Sequence, residues 1–252
     1  LEKFESKDKR VTELFNKIVK ICVDGQKEIY TKFGINFDSY DYESKYIGKP
    51  SEEILNKLEK TGKLRIDNEQ RKILDLSHTK LISKMRSPVL VLTRSNNTGL
   101  YPLRDIAYTI DKSKFGRNII VLGEAQKLYF EQIEEAVKLL GYKAPEVLHY
   151  SFVLIQDNGK AKKMSTRRGE LVLLEDFYRE ALKKAQDEIK KRNTKGDAKK
   201  VALAAIKYAM LKNDNDKNII FSWENSLTFE GDSGPYLQYS YARASSIIKK
   251  AK

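Results

Sequence analysis

Apolar residues at helical spacing mark the beginning of the chain. They recur within one or two helical turns of each other at Val11, Leu14, Phe15, Ile18, Ile21 and Cys22. The spacing predicts one helix over 9–33, and Gly34 is a typical residue to end it. On this apolar face, Cys22 is expected to be a core thiol and not a nucleophile. Ser51 can cap a second predicted helix, over 51–61.

The centre of the chain alternates between two periodicities. Short apolar runs predict strands, and longer stretches with helical spacing lie between them. The predicted order is strand 89–94, helix 102–112, strand 118–122, helix 124–140 and strand 147–155. This alternation is typical of a parallel sheet whose strands are joined by crossover helices. We therefore predict an α/β fold for the centre of the chain.

The regions that flank this centre differ from it. Residues 62–87 are mixed and polar, which favours two or three short strands with turns. After the centre, a basic loop leads to a predicted strand at 171–174. Amphipathic spacing predicts further helices at 175–192, 198–212 and 236–252. The chain therefore passes from an α/β centre into an all-α region.

Composition and charge narrow the class of protein only in part. The 252 residues carry 48 Lys and Arg against 35 Asp and Glu, a net charge of +13. Such a charge attracts polyanions, but lysine-rich proteomes also yield basic chains without nucleic-acid function. A single cysteine excludes a disulfide framework and a cysteine metal site. No apolar run has the length of a membrane span and no apolar signal region opens the chain, so a cytoplasmic location without membrane partners is expected.

A basic loop follows the last central strand. It reads Lys163-Met-Ser-Thr-Arg-Arg-Gly169. Nucleotides bind at the carboxyl ends of strands in parallel sheets. There, Lys163, Arg167 and Arg168 can hold a triphosphate whose charge grows during attack at its α-phosphate. A solvated basic turn is the alternative interpretation.

A second segment places an acid and a tyrosine on one helical face. It reads Thr93-Arg-Ser-Asn-Asn-Thr-Gly-Leu-Tyr-Pro-Leu-Arg-Asp-Ile-Ala-Tyr108, with Pro102 at a position typical of a first helical turn. Tyr101 and Asp105 are four residues apart, about one turn. A carboxylate at a helix start can clamp a guanidinium through two charge-assisted hydrogen bonds. Alternatively, Asp105 only interacts favourably with the dipole of its own helix.

Together these segments resemble the arginine-specific branch of the class I aminoacyl-tRNA synthetases, especially its archaeal and eukaryotic members. The loop is similar to their lysine–methionine–serine signature, with Thr166 where the class usually carries a second lysine. The other segment is similar to their arginine-recognition segment, with Asn96-Asn97 in place of the usual aspartate–glycine. The resemblance implies a partial Rossmann-like parallel sheet and, as ligands, arginine, tRNA(Arg) and ATP with Mg²⁺.

The resemblance also implies roles for individual residues. The implied arginine-binding residues are Glu43, Tyr101, Asp105 and Gln126. The implied ATP-binding residues are Lys163, Met164 and Ser165, and the implied catalytic cations are Lys163, Arg167 and Arg168. Two carboxylates around one guanidinium would favour arginine over the point charge of lysine. The alternatives are that Glu43 is a solvated loop glutamate and Gln126 an exposed first-turn glutamine.

The segment 230–244 is similar to the junction where the catalytic body of these enzymes passes into a helical anticodon-binding domain. Tyr236, Tyr239 and Arg243 are either tRNA contacts or, in the interpretation favoured here, packing residues of that helix. The resemblance thus divides the chain into an insertion or connecting region at 1–88, the second half of the nucleotide-binding fold at 89–174, a helical region with the junction at 175–235, and the first helix of a truncated anticodon-binding domain at 236–252.

The resemblance covers nearly all of this chain but only the middle of the family's usual length. The histidine–x–glycine–histidine signature of the class is absent, because His78 and His149 stand in other contexts. We therefore expect a fragment of an arginine–tRNA ligase that lacks N-terminal and C-terminal parts of the same enzyme and is inactive alone. The alternative is a non-catalytic, synthetase-like paralogue that binds RNA or a partner. Tandem metal-ligand spacing is absent, and no protein-bound metal is expected.

Overall fold

Helices form close to where the apolar spacing predicts them, but the second begins at Lys49. Its predicted cap, Ser51, lies inside the helix and donates its hydroxyl to the carbonyl oxygen of Tyr46. The structure, a computed structural model, describes residues 2–6, 8–157, 160–163, 173–193, 195–221, 226, 228 and 231–251, and for 155–157 and 160–163 the backbone alone. The chain divides into two units. Unit 1 comprises 1–27 and 36–149, and unit 2 comprises 28–35 and 150–252. None of the helices in the described ranges combines the length and apolar character that a membrane crossing requires.

Unit 1 contains most of the α/β elements that the sequence predicts. Its helices are α1 (Glu2–Glu5), α2 (Lys9–Lys32, which continues into unit 2), α3 (Lys49–Glu59), α4 (Tyr101–Ser113) and α5 (Lys127–Leu139). Its strands are β1 (Leu64–Ile66), β2 (Lys72–Asp75), β3 (Val89–Val91), β4 (Ile119–Gly123) and β5 (Glu146–Tyr150, whose last residue belongs to unit 2). Short 3₁₀ turns lie at Glu43–Tyr46, Lys80–Ser83 and Glu124–Gln126.

The strands of unit 1 form two small sheets instead of one. β1, β2 and β3 form an antiparallel sheet in that order, with Leu74 opposite both Leu64 and Leu90. β4 and β5 form a second sheet, and α5 connects them. The prediction that residues 89–94 share a sheet with the next two strands is therefore wrong. The mixed segment before β3 folds into a hairpin, and this hairpin provides β3 with its neighbour.

The predicted strand 147–155 is interrupted in the structure. β5 ends at Tyr150, and a new strand begins at Val153. Between them, the amide of Ser151 donates to the carbonyl oxygen of Asn215 at 2.8 Å. This hydrogen bond takes the backbone out of the β5 pairing, which the apolar pattern alone does not reveal.

The core of unit 1 lies under α4 and α5. Leu103, Ile106 and Ile133 are at most 1% exposed, and full burial of each such side chain contributes about 1.5–3 kcal/mol. The buried positions of α4 fall on one side of the helix. Its opposite edge therefore presents Tyr101, Asp105, Tyr108 and Lys112, which are spaced by three or four residues.

The prediction that Cys22 is a core thiol is wrong. Its thiol is exposed, and α2 contains no buried residue. Leu14 and Ile21 of the same helix are 56% and 63% exposed. Helical spacing identifies an apolar face but does not say whether another layer of the protein covers it.

Tyr46 anchors the segment that carries Glu43 to α4. Its ring is 5% exposed and packs 5.2 Å from the Tyr108 ring, and its hydroxyl donates to Asp111 Oδ2 at 2.9 Å. Lys114 and Lys45 also donate to this carboxylate, at 2.9 and 3.2 Å. The bonds from Lys114 and Tyr46 lower the pKa of Asp111 to about 2, and burial raises the pKa of Tyr46 to about 12.

Unit 2 is built from helices on a small mixed sheet. Its strands are β6 (Val153–Asp157), β7 (Lys160–Lys163) and β8 (Ile219–Phe221), and its helices are α6 (Leu174–Lys191), α7 (Ala198–Leu211) and α8 (Gly234–Ala251). β6 is central, antiparallel to β7 and parallel to β8. The three predicted helices are confirmed. Of the predicted strand 171–174, residues 171–172 lie outside the described residues, and α6 already begins at Leu174.

Small residues let the helices of unit 2 approach closely. Ala181, Ala185 and Ala202 are fully buried. Gly234, the first residue of α8, lies so close to α7 that an added Cβ would overlap the carbonyl oxygen of Ala204. The glycine of the predicted junction therefore serves helix packing.

We expect Asp111→Ala to destabilise unit 1 by about 1–3 kcal/mol, because the buried hydroxyl of Tyr46 loses its acceptor. Chemical denaturation and hydrogen exchange of residues 40–47 measure this effect. Asp38→Ala, an exposed acid on the same segment, is the control and should change stability by less than about 0.5 kcal/mol. Equal effects of the two variants would contradict the anchoring role.

The contribution of Asp111 to stability should depend on pH. Since the pKa of Asp111 is lowered in the folded state, this contribution is present above the ordinary pKa of about 4 and is lost as the pH falls towards about 2.

We expect Gly234→Ala to destabilise the packing of α8 on α7 by about 1–3 kcal/mol, the usual range for overpacking. Hydrogen exchange of the α7 amides measures the loss. Gly25→Ala is the control: it makes the same change at an exposed position of α2 with open space around it. There, alanine should stabilise the helix by about 0.5–1 kcal/mol. Unchanged exchange in Gly234→Ala would show that the close approach is not needed.

Candidate active site

A tight turn presents the first residues of α4. The amide of Arg94 donates to the carbonyl oxygen of Thr98 at 2.9 Å, and the Asn96 side chain accepts from the Thr98 amide at 3.1 Å. Asn97 has a φ of 63°, in the left-handed region that asparagine tolerates better than most residues. The Asn96-Asn97 pair can therefore form the tight turn that an aspartate–glycine pair would form.

Asp105 is a half-buried carboxylate between α4 and α5. The hydroxyl of Tyr129 donates to its Oδ2, and among the described residues no other hydrogen bond reaches this carboxylate. Burial raises the pKa of Asp105 above its ordinary value, and the neighbouring Glu43 acts in the same direction. The bond from Tyr129 lowers this pKa, as do the charges of Arg104 and Lys112. Burial therefore makes the ionised form of this carboxylate costly, and a nearby positive charge would favour it.

The tyrosine that donates to this carboxylate packs against a second tyrosine. The ring of Tyr101 lies 5.1 Å from the ring of Tyr129 at an interplanar angle of 58°, a tilted arrangement that aromatic pairs favour. Tyr101 is 56% exposed. Burial, then the bond to Asp105, raises the pKa of Tyr129 far above its ordinary value. Its hydroxyl therefore remains a donor throughout the physiological pH range.

Glu43 already has a guanidinium as its partner. Arg104 Nε donates to Glu43 Oε1, and Arg104 Nη1 donates to the carbonyl oxygen of Gly99 at 2.9 Å. The same Nη1 lies 3.5 Å from Glu5 Oε1, and the Arg104 side chain is only 12% exposed. Glu43 is close enough to Asp105 to raise its pKa. The structure thus brings the two predicted acids together, and the contact of Glu43 with a substrate guanidinium stays a prediction.

Gln126 lies at the start of α5. It ends the 3₁₀ turn that follows β4 and is exposed. Tyr129 follows three residues later, in the first turn of α5. Gln126 therefore belongs to the segment that carries the hydrogen-bond partner of Asp105, and its role in binding arginine stays a prediction.

Three charged or polar residues near Asp105 were missed by the sequence analysis. They are Arg104, Lys112 and Tyr129. The Lys112 ammonium lies 4.4 Å from the centre of the Tyr108 ring, and burial lowers its pKa. Lys112 follows Asp105 by seven residues, so helical spacing could have identified it. No local signal reveals Tyr129, because its contact with Asp105 depends on how α4 and α5 pack.

The basic loop can be followed only to its first residue. β7 ends at Lys163, whose Cα pairs with that of Leu154. The side chain of Lys163 and all of Met164, Ser165, Arg167 and Arg168 lie outside the described residues. The predicted ATP-binding and catalytic roles therefore stay predictions. Within the described part of the chain, no group of three or more His, Cys, Asp or Glu side chains is placed to hold a metal ion.

A cleft of about 1010 Å³ opens next to the Glu43–Arg104 pair. Its walls come from α1, α2 and residues 40–47. Several of its cations already have acidic partners, such as Lys20 with Asp24 and Lys45 with Asp111. Asp105 is not among its lining residues. The cleft therefore borders Glu43 but not Asp105, and its paired charges do not favour an anionic ligand.

Comparison with known proteins connects this geometry to one family. Residues 1–223 match the family model described as tRNA synthetases class I (R), catalytic domain. The chain is 37% identical over 250 residues to an arginine–tRNA ligase of Methanocaldococcus jannaschii, covering 98% of this chain and 42% of that protein. It is 32% identical to an arginine–tRNA ligase of Clostridium perfringens, covering 100% of this chain and 44% of that protein.

A solved structure agrees with the sequence comparison. The arginyl-tRNA synthetase of Thermus thermophilus superposes with a TM-score of 0.78 at 26% identity, over 96% of this chain and 47% of that one. This likeness confirms the predicted α/β, Rossmann-like fold class. The chain spans less than half the length of these relatives. It belongs to the arginine-specific class I tRNA synthetases and matches their catalytic domain.

Proposed function

We propose that these residues serve an arginine–tRNA ligase of the cytoplasm. Such an enzyme activates arginine with magnesium-bound ATP to arginyl-adenylate and then transfers arginine to the terminal ribose of tRNA(Arg). The observation that carries the proposal is the Asp105 carboxylate, which is half-buried and has no cation hydrogen-bonded to it among the described residues. A buried carboxylate that is costly to ionise gains most from a cationic ligand.

The side chain of arginine fits this carboxylate better than that of lysine. A guanidinium is planar and presents two parallel N–H donors, whereas an ammonium is a point charge. One hydrogen bond from Tyr129 occupies a single lone pair of Asp105 Oδ2 and leaves acceptor positions on both oxygens. Tyr101, one helical turn before Asp105 on α4, packs against the ring of Tyr129. Glu43, held by Arg104, would add negative potential near the guanidinium.

The cations of the basic loop would act on the other substrate. In this proposal Lys163, Met164 and Ser165 bind ATP, and Lys163, Arg167 and Arg168 stabilise its phosphates as the arginine carboxylate attacks the α-phosphorus. Fixed cations stabilise the charge that develops on the phosphate oxygens. Gln126 would line the pocket for the amino acid. The net charge of +13 favours association with tRNA(Arg).

The 252 residues would not suffice for this reaction alone. They span 42–47% of the relatives and contain no histidine–x–glycine–histidine signature. Half of the ATP site would then have to come from other segments of the enzyme.

We expect Asp105→Asn to weaken arginine binding about 10- to 150-fold, because a charge-assisted hydrogen bond contributes about 1.5–3 kcal/mol. Isothermal calorimetry with arginine, and with lysine as a competitor of the same charge, measures this effect. Asp38→Asn makes the same change at an exposed position and should leave the affinity unchanged. An Asp105→Asn variant that binds arginine as tightly as the wild type would refute the proposed pocket.

We expect no arginine-dependent pyrophosphate exchange by the 252-residue chain, with or without tRNA(Arg), since these residues do not contain the histidine–x–glycine–histidine signature. The complete arginine–tRNA ligase of M. jannaschii in the same assay is the positive control. Exchange by the isolated chain that requires arginine and ATP would show that these residues form a whole catalytic centre.

A further inference from the structure

Tyr129 joins the core of unit 1 to the carboxylate of the candidate site. Its ring packs against the hydrophobic cluster that includes Phe130 and Ile133 of the same helix. Its hydroxyl reaches Asp105 on α4. Since the packed ring fixes the position of the oxygen, the hydroxyl is a rigid donor. The direction in which this hydroxyl points is set by the packing of α5 against α4.

The charged neighbours of Asp105 do not donate hydrogen bonds to its carboxylate. Arg104 donates to Glu43 and Gly99. The Lys112 ammonium lies over the Tyr108 ring. Both cations act on Asp105 through their charge, but neither donates a hydrogen bond to it among the described residues. Tyr129 is therefore the group that fixes the orientation of the carboxylate.

The ring of Tyr101 restrains the ring of Tyr129. The tilted contact between the rings of Tyr101 and Tyr129, 5.1 Å apart, limits the movement of both. A tyrosine hydroxyl has one hydrogen and donates it to Asp105 Oδ2, which leaves Oδ1 as an acceptor. A carboxylate held in this way presents a defined plane to an incoming planar cation, with acceptor positions left on both Oδ1 and Oδ2.

We infer that Tyr129 is a positioning residue of the arginine site, whose hydroxyl orients the Asp105 carboxylate and keeps it ionised for the guanidinium. The link between Tyr129 and Asp105 stands on the geometry above. Its consequence for arginine rests on the proposed function. The groups that act on Asp105 are Tyr129, Glu43, Arg104 and Lys112, and Tyr129→Phe changes only one of them.

The first experiment measures the link itself. The pKa of Asp105 is followed by carboxyl ¹³C NMR in the wild-type chain and in Tyr129→Phe. Loss of the donor should raise the pKa of Asp105 by about 1 to 2, because the hydrogen bond favours the charged form. Tyr101→Phe deletes the same atom from the neighbouring ring and should leave this pKa unchanged. An unchanged pKa of Asp105 in Tyr129→Phe overturns the inference whatever the protein binds.

The second experiment measures the consequence for arginine. Calorimetric titration with arginine between pH 8 and pH 6 should show a Kd about 10-fold higher in Tyr129→Phe at pH 8. The ratio should grow as the pH falls, because more Asp105 becomes protonated in the variant. Tyr142→Phe removes a hydroxyl that accepts from Lys57 at 3.0 Å and has no hydrogen bond to Asp105 among the described residues. This control should follow the wild type at every pH.

A double-mutant comparison distinguishes positioning from a separate contact with arginine. If Tyr129 acts only through Asp105, Tyr129→Phe should have no further effect on arginine binding in an Asp105→Ala background. A further loss there would overturn the positioning role. If Tyr129→Phe raises the pKa of Asp105 but the wild-type chain binds no arginine, the proposed function is refuted. The link between Tyr129 and Asp105 would still be established.

Discussion

A carboxylate that is held at the edge of a hydrophobic core is the constraint on which the rest of the candidate site depends. Asp105 lies on the polar edge of α4, while the other side of that helix is buried with α5 in the core of unit 1. The packing that stabilises the unit therefore also removes water from this acid. Burial makes the ionised form costly, and the Tyr129 hydroxyl partly offsets that cost. A ligand that brings a fixed positive charge would offset the remainder.

Glu43, the neighbouring acid, differs from Asp105 because it already has a cationic partner. The Glu43 carboxylate is bonded to Arg104, which also holds the turn before α4 through Gly99. An internal guanidinium therefore occupies one acid of the predicted pair, and the other stays available. Selectivity for arginine over lysine would then depend on one oriented carboxylate and the aromatic rings around it, more than on two equivalent acids. This arrangement explains why the orientation of Asp105 matters.

Residue patterns predicted the elements better than their pairing. The spacing of apolar residues gave α2 and α4 to within one residue at each end, because helix periodicity is a local property. It failed for β3, which pairs with β2 through contacts that no local pattern records. It also failed for Cys22, because an apolar face does not reveal what covers it. Tyr101 and Asp105 were found through their spacing and a motif, whereas Tyr129 depends on helix packing.

If Asp105 and the tyrosines beside it bind the side chain of arginine, protons of the ligand must lie within NOE distance of the tyrosine rings. Intermolecular NOEs between arginine and the chain, recorded with labelled tyrosine rings, test this contact most directly. We predict NOEs from the arginine Hδ protons to the rings of Tyr101 and Tyr129 that disappear in Asp105→Asn. NOEs confined to other tyrosines, or unaffected by Asp105→Asn, would contradict the account.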